Sequence, residues 1–290
     1  PCVPGQMRSA VRFIPNSFPT PPPELHMTEI IHKELSYTTH GALLRIFNAL
    51  GPMLPECFYQ DATMLELRDL GIRCEKEKEF EVFYRGERVG HYFVDVWIEN
   101  GKLILELKVA PQIMPVHKAQ ALSYLKVTNA DLAIVVNFGA GSLETERMPN
   151  FLRDKKVSFE WQQRPAAGDW LYPELSNQLL EALHRVHFAL GPGFLNRLYR
   201  RATMVELKYQ GIEYEYIQQV PILYKGHQLG EHAAHLICVE NRILLATVAV
   251  DLMDRNLQER LKARLRHLDY KLGLLANFNS TALQVVPVRV

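Results

Sequence analysis

Apolar residues recur at helical spacing over 38–50, where Leu43, Leu44, Phe47 and Leu50 share a face, and again over 56–70 with Phe58, Met64, Leu65 and Leu67. The pattern then changes period. "EFEVFYRGERVGHYFVDVWIENGKLILELKVA", residues 79–110, reads as three strand-like runs separated by Arg85-Gly86 and Asn100-Gly101, the second pair being a hairpin signal. "PVHKAQALSYLKV" returns to helical spacing with Pro115 suited to a first turn, and "DLAIVVNF" is a short buried strand. Two helices, three strands, a helix and a strand predict an α/β domain with a mixed sheet.

The unit occurs twice. "GPMLPECFYQDATMLELRDLGI" at 51–72 reappears as "GPGFLNRLYRRATMVELKYQGI" at 191–212, a shift of 140. The same shift carries Tyr84, Gly86 and Gly90 onto Tyr224, Gly226 and Gly230, and Asn137-Phe138 onto Asn277-Phe278. The expected organisation is therefore a tandem pair of domains at 28–150 and 175–290. A Pro-rich arm at 1–27, mobile or lying along a partner, precedes them, and 151–174 forms a linker whose Trp161 and Trp170 can dock on a domain.

Composition narrows the class. In 290 residues, 48% are apolar, enough for a substantial core. No run has the length of a membrane helix, no signal-peptide layout opens the chain, and Cys2, Cys57, Cys74 and Cys238 lack disulfide or zinc spacing. A soluble cytoplasmic protein is expected. P-loop, dinucleotide-binding and nucleophile-elbow motifs are missing, which argues against those chemistries and against a small-molecule cofactor.

Three charges interrupt the apolar strands: Asp95, then Glu106 and Lys108. Alternation puts Glu106 and Lys108 on one face, and the Asn100-Gly101 hairpin folds Asp95 back beside them. Two carboxylates so placed suit Mg²⁺ or Mn²⁺, and a lysine beside them can hold an attacking water or offset charge on a phosphate. The ordinary alternative is a solvated face with a weak ion pair. Gln120 and Tyr124, four apart on the following helix, share a face from which they can meet phosphate or orient Lys108. The second copy is an internal control. There Asp95, Glu106, Lys108, Gln120 and Tyr124 become His235, Ala246, Val248, Arg260 and Arg264 together, while glycines and apolar positions persist. A copy that has dropped one shared task explains this joint replacement.

"LGPMLPECFYQDATMLELRDLGI", "FYRGERVGHYFVDVWIENGKLILELKV" and "PVHKAQALSYLKVTNADLAIVVNF" resemble, in order and spacing, the GxxExxY protein family, a branch of the PD-(D/E)XK nuclease-like superfamily. The resemblance covers nearly all of the first copy and only the frame of the second. It implies two restriction-endonuclease-like (αβββαβ) domains with mixed sheets, the second degenerate. It further implies Asp95 and Glu106 as metal ligands, Glu56 as a further carboxylate, Lys108 as the catalytic lysine, and Gln120 with Tyr124 as the helix motif of the site. Glu56 and Tyr59 match the Glu and Tyr that name the family. Met53 stands where the family has Gly, Asn196 replaces Glu in the second copy, and Arg45 stands where an acidic residue is frequent.

Charge divides the copies. Residues 28–150 hold 13 Lys plus Arg against 17 Asp plus Glu, net −4, and residues 175–290 hold 14 against 10, net +4. The basic excess concentrates at Arg260, Arg264, Arg266 and Lys271, which form a solvated helix face, a surface docking on the acidic copy, or a phosphate-binding surface. The favoured reading is a metal-dependent nuclease with one site per chain, so that cutting both strands of a duplex needs a dimer or repeated binding, and a homo-oligomer is expected. The alternatives are an inactive nuclease-fold scaffold that oligomerises, and a protein that binds nucleic acid without cutting it.

Overall fold

The computed structural model describes residues 30–151, 158–161 and 171–290. The first copy runs α1 (Lys33–Leu50), α2 (Glu56–Asp69), β1 (Cys74–Tyr84), β2 (Glu87–Ile98), β3 (Leu103–Lys108), α3 (Pro115–Thr128), β4 (Leu132–Asn137) and β5 (Glu144–Pro149). The second repeats it as α4 (Pro173–Leu190), α5 (Asn196–Tyr209), β6 (Tyr214–Tyr224), β7 (His227–Val239), β8 (Ile243–Val248), α6 (Arg255–His267), β9 (Leu272–Asn277) and β10 (Gln284–Arg289). The Pro-rich arm and Trp170 lie outside the described residues. Of the linker aromatics, Trp161 packs at 5.0 Å from His184 and Phe159 at 5.6 Å from Phe188, both on α4.

Each copy builds a five-stranded sheet in sequence order. β3 and β4 are parallel, joined through α3, and the other neighbours are antiparallel, so the sheets are mixed as expected. β5 and β10 extend the predicted element order. They are edge strands, paired on one side only, where Glu144 and Glu146 are held by Asn137 and Lys118, Arg147 is exposed, and Pro149 or Pro287 costs little pairing.

The repeat shares a polar frame. Tyr59 donates its hydroxyl hydrogen to Gly51 O (2.6 Å), accepts from Leu54 N (3.0 Å) and stacks on Phe138 at 4.1 Å. Tyr199 does the same with Gly191 O (2.7 Å), Phe194 N (3.2 Å) and Phe278 (4.5 Å). Asn137 and Asn277 each clamp the chain after the parallel strand through both amide atoms, at Ala110 and Val250. The loop held by Tyr59 keeps a left-handed residue where the family glycine has gone: Met53 has φ +71°, against +107° at Gly193. A side chain there costs on the order of 1 kcal/mol.

The copies fuse into one stack. Helices α1 and α2 cover one face of the first sheet, through Leu43, Tyr59 and Leu67 against Leu103, Leu105 and Leu107. Its other face shares a core with α3, α4, α5 and the inner face of the second sheet. α6 covers part of the outer face of the second sheet, through Leu261 and Leu265. Thus α5 touches β2 of one sheet and β8 of the other. Leu198 of α5 lies where a Cβ on Gly90 would approach it to 3.2 Å, which makes glycine the fitting residue there. Buried Glu206 receives the Tyr84 hydroxyl (2.6 Å), the Arg85 guanidinium and the Gln210 amide (2.8 Å). Docking on the acidic copy is thus the work of α4 and α5, not of the basic α6.

A core shared across the repeat predicts joint unfolding. Leu198→Ala should lower stability by about 3 kcal/mol, and calorimetry should show both copies melting in one transition. Two separated transitions would refute the shared core.

Candidate metal centre

Asp95 sits at a break in two ladders. β2 and β3 pair at Ile98–Leu103, Trp97–Ile104 and Val96–Leu105. The next step would set Asp95 opposite Glu106, but the ladder ends. On its other edge β2 skips the Glu77–Asp95 pair, with Glu77 at φ +50°. The break turns the strand: Tyr92 and Val94 face the central core, while Val96 and Ile98 face the α1–α2 core. Simple alternation therefore does not aim Asp95; a local irregularity does. The second copy keeps a break at this place, with His235 at φ +51° and a register shift between Ile217 and Gln219.

Beyond the break the side chain replaces the ladder. Asp95 Oδ2 accepts from Leu107 N at 2.7 Å, and Gln60 Nε2 of α2 donates to Asp95 O at 2.8 Å. Glu106 and Lys108 point away from Leu105 and Leu107, and Lys108 Nζ donates to Glu106 Oε1 at 2.6 Å. Glu56, at the start of α2, accepts from Val109 N at 3.2 Å. Asp95 Oδ1 and Glu106 Oε2 have no hydrogen-bond partner among the described residues.

The electrostatics follow from crowding acids in a poor solvent. Burial, then the charge on Glu106, pushes the Asp95 carboxyl up to about 8, against opposing pulls from Leu107 N–H and Lys108. Burial likewise raises Glu106, with Lys108 opposing it. Burial works against the Lys108 ammonium, yet Glu106 and Asp95 hold its proton more firmly than usual. Lys108 does not offset the burial of both acids, so each holds a proton more readily than an exposed carboxyl.

Tyr124 lies near enough to feel Glu106 and Asp95, but it and Gln120 bond to the second copy. Tyr124 donates its hydroxyl hydrogen to Gly193 O at 2.9 Å, and Gln120 Nε2 donates to Asn279 Oδ1 at 3.2 Å. A Cβ on Gly193 would lie 2.8 Å from Gln120 and 2.9 Å from the Tyr124 hydroxyl, so the contact requires glycine. Phe194 meets the Tyr92 and Tyr124 rings edge-on. Arg45 pairs with Glu66 at 2.7 Å. Arg260 and Arg264 line a groove of about 590 Å³ over Ala246 and Val248, whereas Arg266 and Lys271 are outside its lining.

Two contributors escaped the sequence reading. Tyr92 stacks on Tyr124 at 4.3 Å, lies near enough to feel the charges of Glu106 and Asp95, and has a buried hydroxyl without a partner among the described residues. Gln60 fixes the Asp95 backbone. Both change in the second copy, to His232 and Arg200, so the comparison that exposed Glu106 and Lys108 carried the signal for these as well.

Residues 33–148 match the PD-(D/E)XK nuclease superfamily, and residues 173–289 match it again. The chain belongs to that superfamily. No curated protein matches it. A solved structure described as that of SSO0001 is 19% identical and aligns over 40% of this chain and 61% of its own, with a TM-score of 0.25. This chain spans about three fifths of that protein's length. PD-(D/E)XK nucleases generally use divalent metals, and the donor set here fits one: two hard carboxyl oxygens without hydrogen-bond partners, on acids whose ionised forms a nearby cation would favour. Among the described residues no three His, Cys, Asp or Glu side chains gather as a complete cage, and Mg²⁺ commonly binds through one or two carboxylates and water.

The raised Asp95 pKa has a signed consequence. The folded chain keeps a proton that the unfolded chain releases near 3.8, so this contribution to stability is full below about pH 4 and is lost as pH rises through about 8. Without divalent ions, melting temperature should fall over that window, and Asp95→Asn should flatten the fall. An unchanged pH profile in the variant would count against the buried, crowded carboxyl.

Proposed function

We propose that the first copy hydrolyses phosphodiester bonds of nucleic acid at Asp95, Glu106 and Lys108, with Mg²⁺ or Mn²⁺ held by Asp95 and Glu106 and with Glu56 beside them. The observation that carries this reading is the pairing of a buried and a half-buried carboxyl, each with an oxygen left over, beside an ammonium kept charged. The second copy supports it, since the same backbone there holds His235, Ala246 and Val248.

Asp95 and Glu106 would hold the divalent ion, which when bound would polarise a phosphoryl oxygen and make its water more acidic. Lys108 supplies hydrogen bonds to the attacking water or to the phosphate oxygens, which carry more negative charge as the new bond forms. Its short bond to Glu106 fixes where those donors point. Leu107 N–H and Gln60 hold Asp95 at both its carboxyl and its peptide group, so the site rests on strands and not on a loop. Gln120 and Tyr124 act as positioning residues, bracing the pocket against the Gly193 loop. That commitment also favours a second reading, a nuclease-fold scaffold in which the helix motif has passed from substrate contact to holding the two copies together.

End-labelled single- and double-stranded DNA and RNA, with Mg²⁺ or Mn²⁺, separate the readings. The parent should cut at least one substrate, and Asp95→Asn and Lys108→Ala should each slow cutting by about 100-fold or more while the circular dichroism stays that of the parent. Cutting unaffected by both substitutions would exclude this site. No cutting of any substrate would leave the scaffold.

A further inference from the structure

The junction inside the chain is a pattern that both ends of the stack can repeat. The donor surface is the outer side of α4–α5, where Phe194 and Leu198 are buried against the first sheet and Val205 is half-buried at the edge of the shared core. The acceptor is the β1–β2 hairpin with α3, which buries Val82, Tyr84 and Val89 beneath those helices. Each copy carries both surfaces, so the shift of 140 leaves one of each unused. On α1–α2 the donor positions are Leu54, Phe58 and Leu65, all exposed; Phe58 is 55% exposed where Leu198 is 1%. On the β6–β7 hairpin the acceptor positions are Ile222, Tyr224 and Leu229, also exposed; Leu229 is 68% exposed where Val89 is fully buried.

The polar contacts translate too. Glu206 receives Tyr84 and Arg85, and the same positions are Glu66 opposite Tyr224 and Lys225. Arg85 lies 3.5 Å over the Tyr209 ring; Asp69 stands at the Tyr209 position, so the translated contact becomes an ion pair with Lys225. The net charges of −4 and +4 on the two copies favour the same pairing. One mismatch is compensated. Gly193 is required against Gln120 and Tyr124, whereas its counterpart Met53 has a side chain; loss of the Glu106 and Lys108 side chains, as Ala246 and Val248, opens the groove of about 590 Å³ that takes it.

We propose that α1–α2 of one chain docks on the open face formed by β6–β7 and α6 of a second copy, extending the stack head to tail. Donor and acceptor differ, so the contact is heterologous, and its growth ends only by closing into a ring or by running out of chains. Arg264, at the Tyr124 position, then meets the Met53 carbonyl as Tyr124 meets Gly193.

Sedimentation of the full chain from about 1 to 100 μM should show mass rising above the 33.4 kDa of one chain. Phe58→Glu and Leu229→Glu alter opposite surfaces that are exposed in the single chain, so each should stay folded and associate more than about tenfold more weakly. Mixed one to one, the two variants should form a dimer through their remaining intact faces. Single-chain mass for the parent throughout the range overturns the proposal, as does a mixture that stays dissociated or a variant that associates like the parent. Association seen only after residues 1–29 are removed overturns it for the full chain. Parent chains that stay single and bind DNA in a salt-sensitive way, lost when Arg260 and Arg264 become Ala, would give the groove to nucleic acid instead.

Discussion

The structure depends on a helix pair that is buried from two sides. In an isolated α/β unit the opening helices cover one face of their own sheet and turn the other side to water. Here α4 and α5 cover the second sheet and also close the first, so their sequence is apolar or small on two faces at once. The need to satisfy both sheets accounts for the close approach at Gly193, where a Cβ would lie 2.8 Å from Gln120 and 2.9 Å from Tyr124. It also explains why a copy without the charged strand residues has kept its helices intact.

That packing shapes the chemistry of the first copy. Tyr92, Tyr124 and Phe194 form an aromatic wall contributed by both copies beside Asp95 and Glu106, and it removes water from the carboxylates. Their raised pKa values follow from this enclosure more than from their proximity to each other, since burial is the leading cause for each. Lys108 answers one of the two negative charges. The other carboxyl meets the same enclosure by holding its proton to higher pH than usual.

Much of this was legible in the sequence. The repeat, the helices, the central strands and the shared face of Glu106 and Lys108 follow from period, and the second copy, as a control, singles out Asp95 with them. The edge strands did not, because Glu144–Pro149 is paired on one side and has no buried face to impose alternation. Nor did the direction of Gln120 and Tyr124, since helical spacing says which residues share a face but not what lies opposite it. The exposed side of α1–α2 was equally opaque: Phe58 and Leu65 fit a helical pattern in one dimension, and only the buried α4–α5 pair shows which of those positions can face a second sheet. Asp95 reached the predicted place by an unpredicted route, a paired irregularity in β1 and β2 that no pattern of alternation encodes.

Asp95 also fills a gap in the sheet. Its carboxylate takes the Leu107 amide hydrogen just past the last β2–β3 pair, so a side chain completes bonding that the backbone leaves undone. Any event that draws electron density from that carboxylate, whether a proton or a cation, weakens the acceptor on which the end of β3 relies. The same strand carries Glu106 and Lys108, so the bond that closes the ladder and the charged pair share one support.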